Sequence, residues 1–179
     1  LLYAMGTGYA NEENLASRAW SNVLLNTYYF MGISLCGLVF VAIHQLGLSG
    51  WHNVLRRVPE AFGAYVPVMA VIMIILIIGK ITGFHNLYFH HDHVHGTKEI
   101  LLNNATFTGI LVVFIALWVF FSYFLRKLAI AEDTEQPLAI YQKTKYWNAA
   151  FIMVFAATSS IGSWLIMMSL DPHWYSTLF

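Results

Sequence analysis

One cysteine stands in 179 residues, Cys36, and it lies inside an apolar run. A single thiol excludes an intramolecular disulfide, a CxxCH haem attachment and a cysteine-ligated iron–sulfur cluster within this chain. Its surroundings predict a small, buried packing residue. Charge is also scarce, at 10% of residues against 59% hydrophobic, and the mean hydropathy is +0.62. A soluble domain carries roughly a quarter charged residues, so this composition predicts a polytopic membrane protein. The formal net charge is zero, which gives no reason to expect nucleic acid as a partner. No nucleotide-binding P-loop, HExxH pair or nucleophile-elbow serine occurs, and hydrolase and ATPase readings have no support.

What is present is a series of long apolar stretches. Residues 19 to 55 contain no Asp, Glu, Lys or Arg. A hydrocarbon core about 30 Å thick takes about 20 residues as helix, so a first span fits within residues 22–46. Gly32, Cys36 and Gly37 give it a small surface for another helix. Further spans are expected over residues 61–79, 106–125 and 148–170. Pro67 removes a backbone hydrogen bond inside the second and predicts a kink. Ala156, Ala157, Ser159, Ser160, Gly162 and Ser163 form a small-residue patch on the fourth, suited to close helix contact. Asp171-Pro172 ends that span, because the residue before a proline avoids the α region. The expected fold is therefore all-α, a polytopic transmembrane helical bundle with about four spans in a single domain over residues 1–179. The chain opens on Leu1-Leu2-Tyr3 and stops at Phe179 without a polar tail, and we expect it to be a piece of a longer polypeptide.

Lysine and arginine set the orientation. Arg56, Arg57, Arg126, Lys127, Lys143 and Lys145 follow spans one and three, whereas Arg18, Lys80 and Lys98 lie at the opposite ends. Cations gather on the cytoplasmic side, so the His-rich loop and the Asp171 junction are expected outside the cytoplasm.

Few residues have the chemistry for a site. Five of the eight histidines fall between residues 85 and 95. His90, His91, His93 and His95 could ligate zinc or copper, with Asp92 nearby, but consecutive loop residues rarely converge on one ion unaided, and a solvated interfacial or subunit-contact loop is the simpler reading. A bilayer haem b needs two histidines at similar depth on neighbouring helices. Only His44 approaches the membrane interior, so no haem is expected. Glu60 follows Arg56 and Arg57 and is expected in an interfacial ion pair. Asp171, with His173 two residues on, could transfer protons, or could sit in water while Pro172 stops the helix.

Two stretches carry a family resemblance. One runs from Arg18-Ala19-Trp20-Ser21-Asn22-Val23 through Tyr28-Tyr29-Phe30-Met31-Gly32 and Trp51 to Arg56-Arg57-Val58-Pro59-Glu60-Ala61. The other is Met168-Ser169-Leu170-Asp171-Pro172-His173-Trp174-Tyr175-Ser176-Thr177. Together they resemble the ActF-type integral membrane subunit of bacterial alternative complex III, a respiratory quinol:electron-acceptor oxidoreductase. The resemblance implies a subunit of the inner membrane with no redox centre of its own. Haem c and iron–sulfur clusters would sit in partners, a multi-haem cytochrome c and an iron–sulfur subunit. A sister membrane subunit would be the better place for quinol oxidation, and the complex would hold a quinone. It also implies a part in coupling electron transfer to proton movement, with Asp171 and His173 as the first candidates and His44 and Glu60 as weaker ones. Family members have about ten spans, so this chain would hold part of the bundle. Two other readings stay open: a metal-handling membrane protein using the His-rich loop, and a purely structural membrane anchor.

Overall fold

The computed structural model describes residues 12–83, 87–88, 103–135 and 138–170, with side chains omitted for residues 12–17 and 135. Six helices follow in order: α1 (Glu12–Leu46), α2 (His52–Leu55), α3 (Arg57–Gly63), α4 (Val66–Ile81), α5 (Asn104–Glu135) and α6 (Leu138–Ile166). A 3-10 turn at Met168–Leu170 closes the described chain, and no strand occurs among the described residues. Four stretches, Arg18–Leu46, Arg57–Ile81, Asn104–Thr134 and Leu138–Leu170, are long and apolar enough to cross a bilayer. The chain is an all-α, multi-pass helical bundle.

The helices continue past the apolar runs. The third apolar run ends at Leu125, yet α5 continues to Glu135. Leu, Arg, Lys, Ala and Glu dominate that extension and are strong helix formers that need no apolar surroundings. Because α6 begins at Leu138, the charged stretch between the last two spans is the tip of a helical hairpin.

The second crossing behaves differently. It breaks at Ala64-Tyr65, and Pro67 lies in the first turn of α4, where its missing N–H costs little. The proline thus marks a new helix rather than a bend within one. The break leaves carbonyls unpaired along the helix, and the Ser122 hydroxyl donates to Gly63 O at 2.5 Å. A buried carbonyl without a partner is costly, so this bond between α3 and α5 stabilises the break.

Packing joins α1 to α3, α4 and α6, while α5 closes the bundle between α4 and α6. The buried residues Leu24, Met31, Leu35, Leu38 and Ala42 recur at helical spacing along α1. Met69, Ala70, Met73, Leu76 and Ile77 face them from α4, and Phe107, Leu111, Ile115 and Trp118 from α5. The opposite faces are apolar as well: Val68, Val71, Ile75 and Ile78 are exposed on α4. A helix that is apolar all round fits a lipid surrounding.

Glycine decides one contact. A Cβ at Gly37 would stand 2.6 Å from Pro59 O, so α1 and α3 meet there as closely as backbones allow. At Gly32 nothing lies within 4 Å of that position. One sequence expectation is corrected: Cys36 is exposed rather than buried, because it lines an apolar groove that α1 shares with Val58, Pro59 and Phe62 of α3. In the small-residue patch of α6, Gly162 is buried beneath Trp118 of α5 and Ser163 is hydrogen-bonded to Tyr28 of α1, whereas Ala156, Ala157 and Ser160 are exposed.

Candidate functional site

The two ends of the bundle differ in chemistry. At one end, the end of α1, α2, the start of α3, the end of α5 and the start of α6 come together. A tight reversal makes this possible: Gly47 N–H donates to Ile43 O and Ser49 N–H to His44 O, and Leu48 takes a left-handed φ of 52°. That reversal returns Arg56 to the end of α1.

Arg56 is the centre of an ionic network. Its Nε donates to Glu60 Oε1 at 2.6 Å, and its Nη2 donates to Glu132 Oε2, 76 residues on, at 2.9 Å. Arg57 Nη1 donates to Glu60 Oε2 at 2.5 Å, and its Nη2 pairs with Asp133. The Arg56 and Glu60 side chains are each 11% exposed and Glu132 is 17%, whereas Arg57 and Asp133 are half exposed. Burial alone would ease the proton off Arg56, but hydrogen bonds to Glu132 and Glu60 outweigh it and hold the guanidinium above its usual pKa.

The network continues inward through neutral amides. Gln45 Nε2 donates to Glu132 Oε2 at 3.5 Å, and Asn148 Nδ2 donates to Gln45 Oε1 at 2.6 Å. Gln45 and Asn148 are fully buried. Beside them lies a cavity of about 20 Å³ bordered by Gln45, Arg56, Glu60, Thr144 and Asn148. One water needs roughly 10–15 Å³ and two to four polar partners, so the cavity has the size and lining for one. A polar chain therefore runs from the exposed Arg57–Asp133 pair to Asn148 in the bundle interior.

Deeper in the bundle, polar groups are satisfied locally. Trp118 Nε1 donates to Thr158 Oγ1 at 2.9 Å, and Thr158 in turn donates to Val154 O. Ser34 donates to Phe30 O and Thr27 to Val23 O. These bonds leave each hydroxyl tied to its own helix rather than to the polar chain.

At the other end, Lys80 Nζ is buried and lies 3.5 Å from the centre of the Phe107 ring and 5.2 Å from that of Tyr88. Among the described residues it has no hydrogen-bond partner, and the rings provide its only favourable contact for charge. The Tyr88 hydroxyl donates to Ile166 O at 3.0 Å, and burial raises the pKa of that phenol.

Of the residues singled out from sequence, Glu60 lies inside the ionic network, paired with both arginines. His44 stands apart in the last turn of α1. Its Nδ1 meets Phe40 O at 2.8 Å, and its ring packs on Phe40 and edge-on to Trp51. Asp171 and His173 lie outside the described residues, as do His90, His91, His93 and His95. Among the described residues no group of three or more potential ligands could hold a metal. Four participants were missed in the sequence: Gln45, Asn148, Glu132 and Asp133. His52 is buried, with Nδ1 against Ser49 O and Nε2 without a partner, and its ring lies 5.9 Å from that of His44. Only their position at the ends of apolar runs could have drawn attention to Gln45 and Asn148, since a buried amide needs a partner. No protein-family model matches this chain, and no match to a curated protein was found.

Proposed function

We propose that the chain is part of an integral membrane subunit of a respiratory quinol:electron-acceptor oxidoreductase of the alternative complex III kind. It holds the periplasmic redox subunits against the bilayer and takes up protons at the Arg56 end. The family reading rests on the resemblance of residues 18–61 and 168–177. The proton role rests on one geometric observation, the polar chain from Arg57–Asp133 to Asn148 with a water-sized cavity beside it. The excess of Lys and Arg supports a cytoplasmic position for this end. Asp171 and His173 then belong to the opposite mouth, with Lys80 at the same end. No redox centre is assigned to this chain; haem c, iron–sulfur clusters and quinone belong to the rest of the complex.

Two measurements test this reading. Affinity purification of the chain from its native membrane should bring down a multi-haem cytochrome c and an iron–sulfur subunit, and a chain that purifies with neither refutes the assignment. In the intact complex, Glu132→Gln and Asp171→Asn should each lower proton release per electron while leaving quinol oxidation in place. Unchanged coupling in both removes the proton role. One observation favours a second reading, the structural anchor: Thr27, Ser34 and Thr158 spend their hydroxyls on backbone carbonyls, so the polar chain ends at Asn148. On that reading both variants couple normally.

A further inference from the structure

The acids at the Arg56 end are unevenly spent. Glu60, Glu132 and Asp133 are all engaged with Arg56 and Arg57 on the α3 side. Arg126, Lys127, Lys143 and Lys145 on the α5–α6 hairpin form no ion pair among the described residues. With Glu132 and Asp133 paired to Arg56 and Arg57, the hairpin carries these four cations against one further acid, Glu135, a local surplus of positive charge in a chain of zero formal charge.

These cations stand directly above an aromatic layer. Phe120 and Phe124 stack with centroids 5.5 Å apart, and Phe124 meets Trp147 of α6 edge-on at 4.6 Å. Phe120 also reaches Trp147, at 6.3 Å. Tyr123 and Tyr146 are strongly exposed beside them. Such a layer of Trp and Tyr is the mark of the membrane–water boundary. Lys127 lies seven residues after Phe120 and three after Phe124, hence on the same face of α5. Lys143 lies four residues before Trp147, on the same face of α6. The two helices run antiparallel, so the step from the Phe124–Trp147 contact toward the hairpin tip brings both lysines, each exposed, to the flanks of one groove. Phe120 to Lys127 spans about 10 Å along the helix, which places aromatic rings at acyl-chain depth and the ammonium groups at the level of lipid phosphate.

We propose that this groove is a binding site for an anionic phospholipid, with Lys127 and Lys143 holding the phosphate and Phe120, Phe124 and Trp147 flooring the upper acyl chains. Charge selects the occupant: an unpaired pair of ammonium groups over an apolar floor complements a headgroup with net negative charge and gains little from a zwitterionic one. Arg126 and Lys145 raise the local potential without touching the groove face. The site stands independently of any respiratory role, since it requires only that the four helices cross a bilayer.

The test uses the whole chain in nanodiscs containing equal phosphatidylglycerol and phosphatidylcholine, released into the gas phase for native mass spectrometry. Retained phosphatidylglycerol should exceed retained phosphatidylcholine. Each direct ammonium–phosphate contact contributes about fivefold in affinity, so the Lys127→Gln/Lys143→Gln variant should lower that preference by roughly 25-fold. The Arg126→Gln/Lys145→Gln variant removes the same charge outside the groove and should lower it far less. All four positions tolerate glutamine in a helix, and circular dichroism of each variant should be unchanged. Equal retention of the two lipids, or equal losses in the two double variants, overturns the site. So does zero-length carbodiimide coupling of Lys127 and Lys143 to acidic residues of another subunit in the native membrane, which would make the groove a protein contact.

Discussion

Removing the Glu132 carboxylate should expose how the ionic mouth is held. Glu132 accepts from Arg56 at 2.9 Å and, more weakly, from Gln45 at 3.5 Å. Stranding a buried charge costs about 3–5 kcal/mol. That full cost does not apply to Glu132→Ala, because Arg56 keeps its 2.6 Å bond to Glu60 and the side chains are 11% and 17% exposed. What is lost is one charge-assisted hydrogen bond and a weak amide contact, about 1.5–2 kcal/mol. Arg56→Ala removes the group that both acids face and should cost more, about 3 kcal/mol. Arg57→Ala should cost less, about 1 kcal/mol, since Arg57 is itself half exposed, its pairing with Asp133 is screened by water, and Glu60 keeps its bond to Arg56. The assay is reversible unfolding in bicelles, with a double-mutant cycle over Arg56 and Glu132. A coupling of about 1–2 kcal/mol is expected for residues in direct contact. Additive single effects, or equal costs at Arg56 and Arg57, would refute the claim that Arg56 is the centre of the network.

The other predictions are simpler. Gly37→Ala should destabilise the bundle by about 1–3 kcal/mol, because its Cβ would strike Pro59 O, while Gly32→Ala should be neutral in the same unfolding assay. Trp118→Phe removes the donor to Thr158 and should cost about 1 kcal/mol or more, because the change also trims a buried ring. Tyr88 should remain un-ionised in the folded protein above pH 10, measurable as absent phenolate absorbance relative to the Tyr88→Phe variant. A raised folded pKa means that its stabilising contribution is complete below about pH 10 and is lost as pH climbs toward the folded value, so alkaline unfolding should begin there.

Each crossing was legible because lipid imposes a simple requirement, about 20 apolar residues per helix, and four runs met it. Gly37 was legible because a missing Cβ acts locally, whereas Pro67 read as a kink inside one helix and stands in the first turn of a new one. The pairing of Glu60 with Arg56 and Arg57 was readable from a separation of three and four residues. Glu132 was not. It lies beyond the third apolar run, and its partnership with Arg56 depends on the register of α5 against α3, which no local pattern encodes. Gln45 and Asn148 are 103 residues apart and meet for the same reason. Cys36 was misread because lipid and protein core select the same residue types, so an apolar helix does not announce which face looks inward. The bundle interior is distinguished from its exterior by spacing and partner, and only the spacing is written in the chain.

The length of α5 has a mechanical consequence. Its 32 residues make a rod of about 48 Å, against a hydrocarbon layer of about 30 Å. Joined to α6 by a short connection, it carries its stiffness out of the bilayer into water, where a loop would dissipate any motion. A tilt of about 10° within the membrane would sweep the protruding tip, a lever arm of about 18 Å, through about 3 Å. The Arg56–Glu132 bond lies within the last turn of that rod, so such a tilt would stretch it directly. Strain arising among the buried helices would thereby reach the Arg56–Glu132 and Arg57–Asp133 pairs at the mouth, and force applied to the tip would return along the same rod.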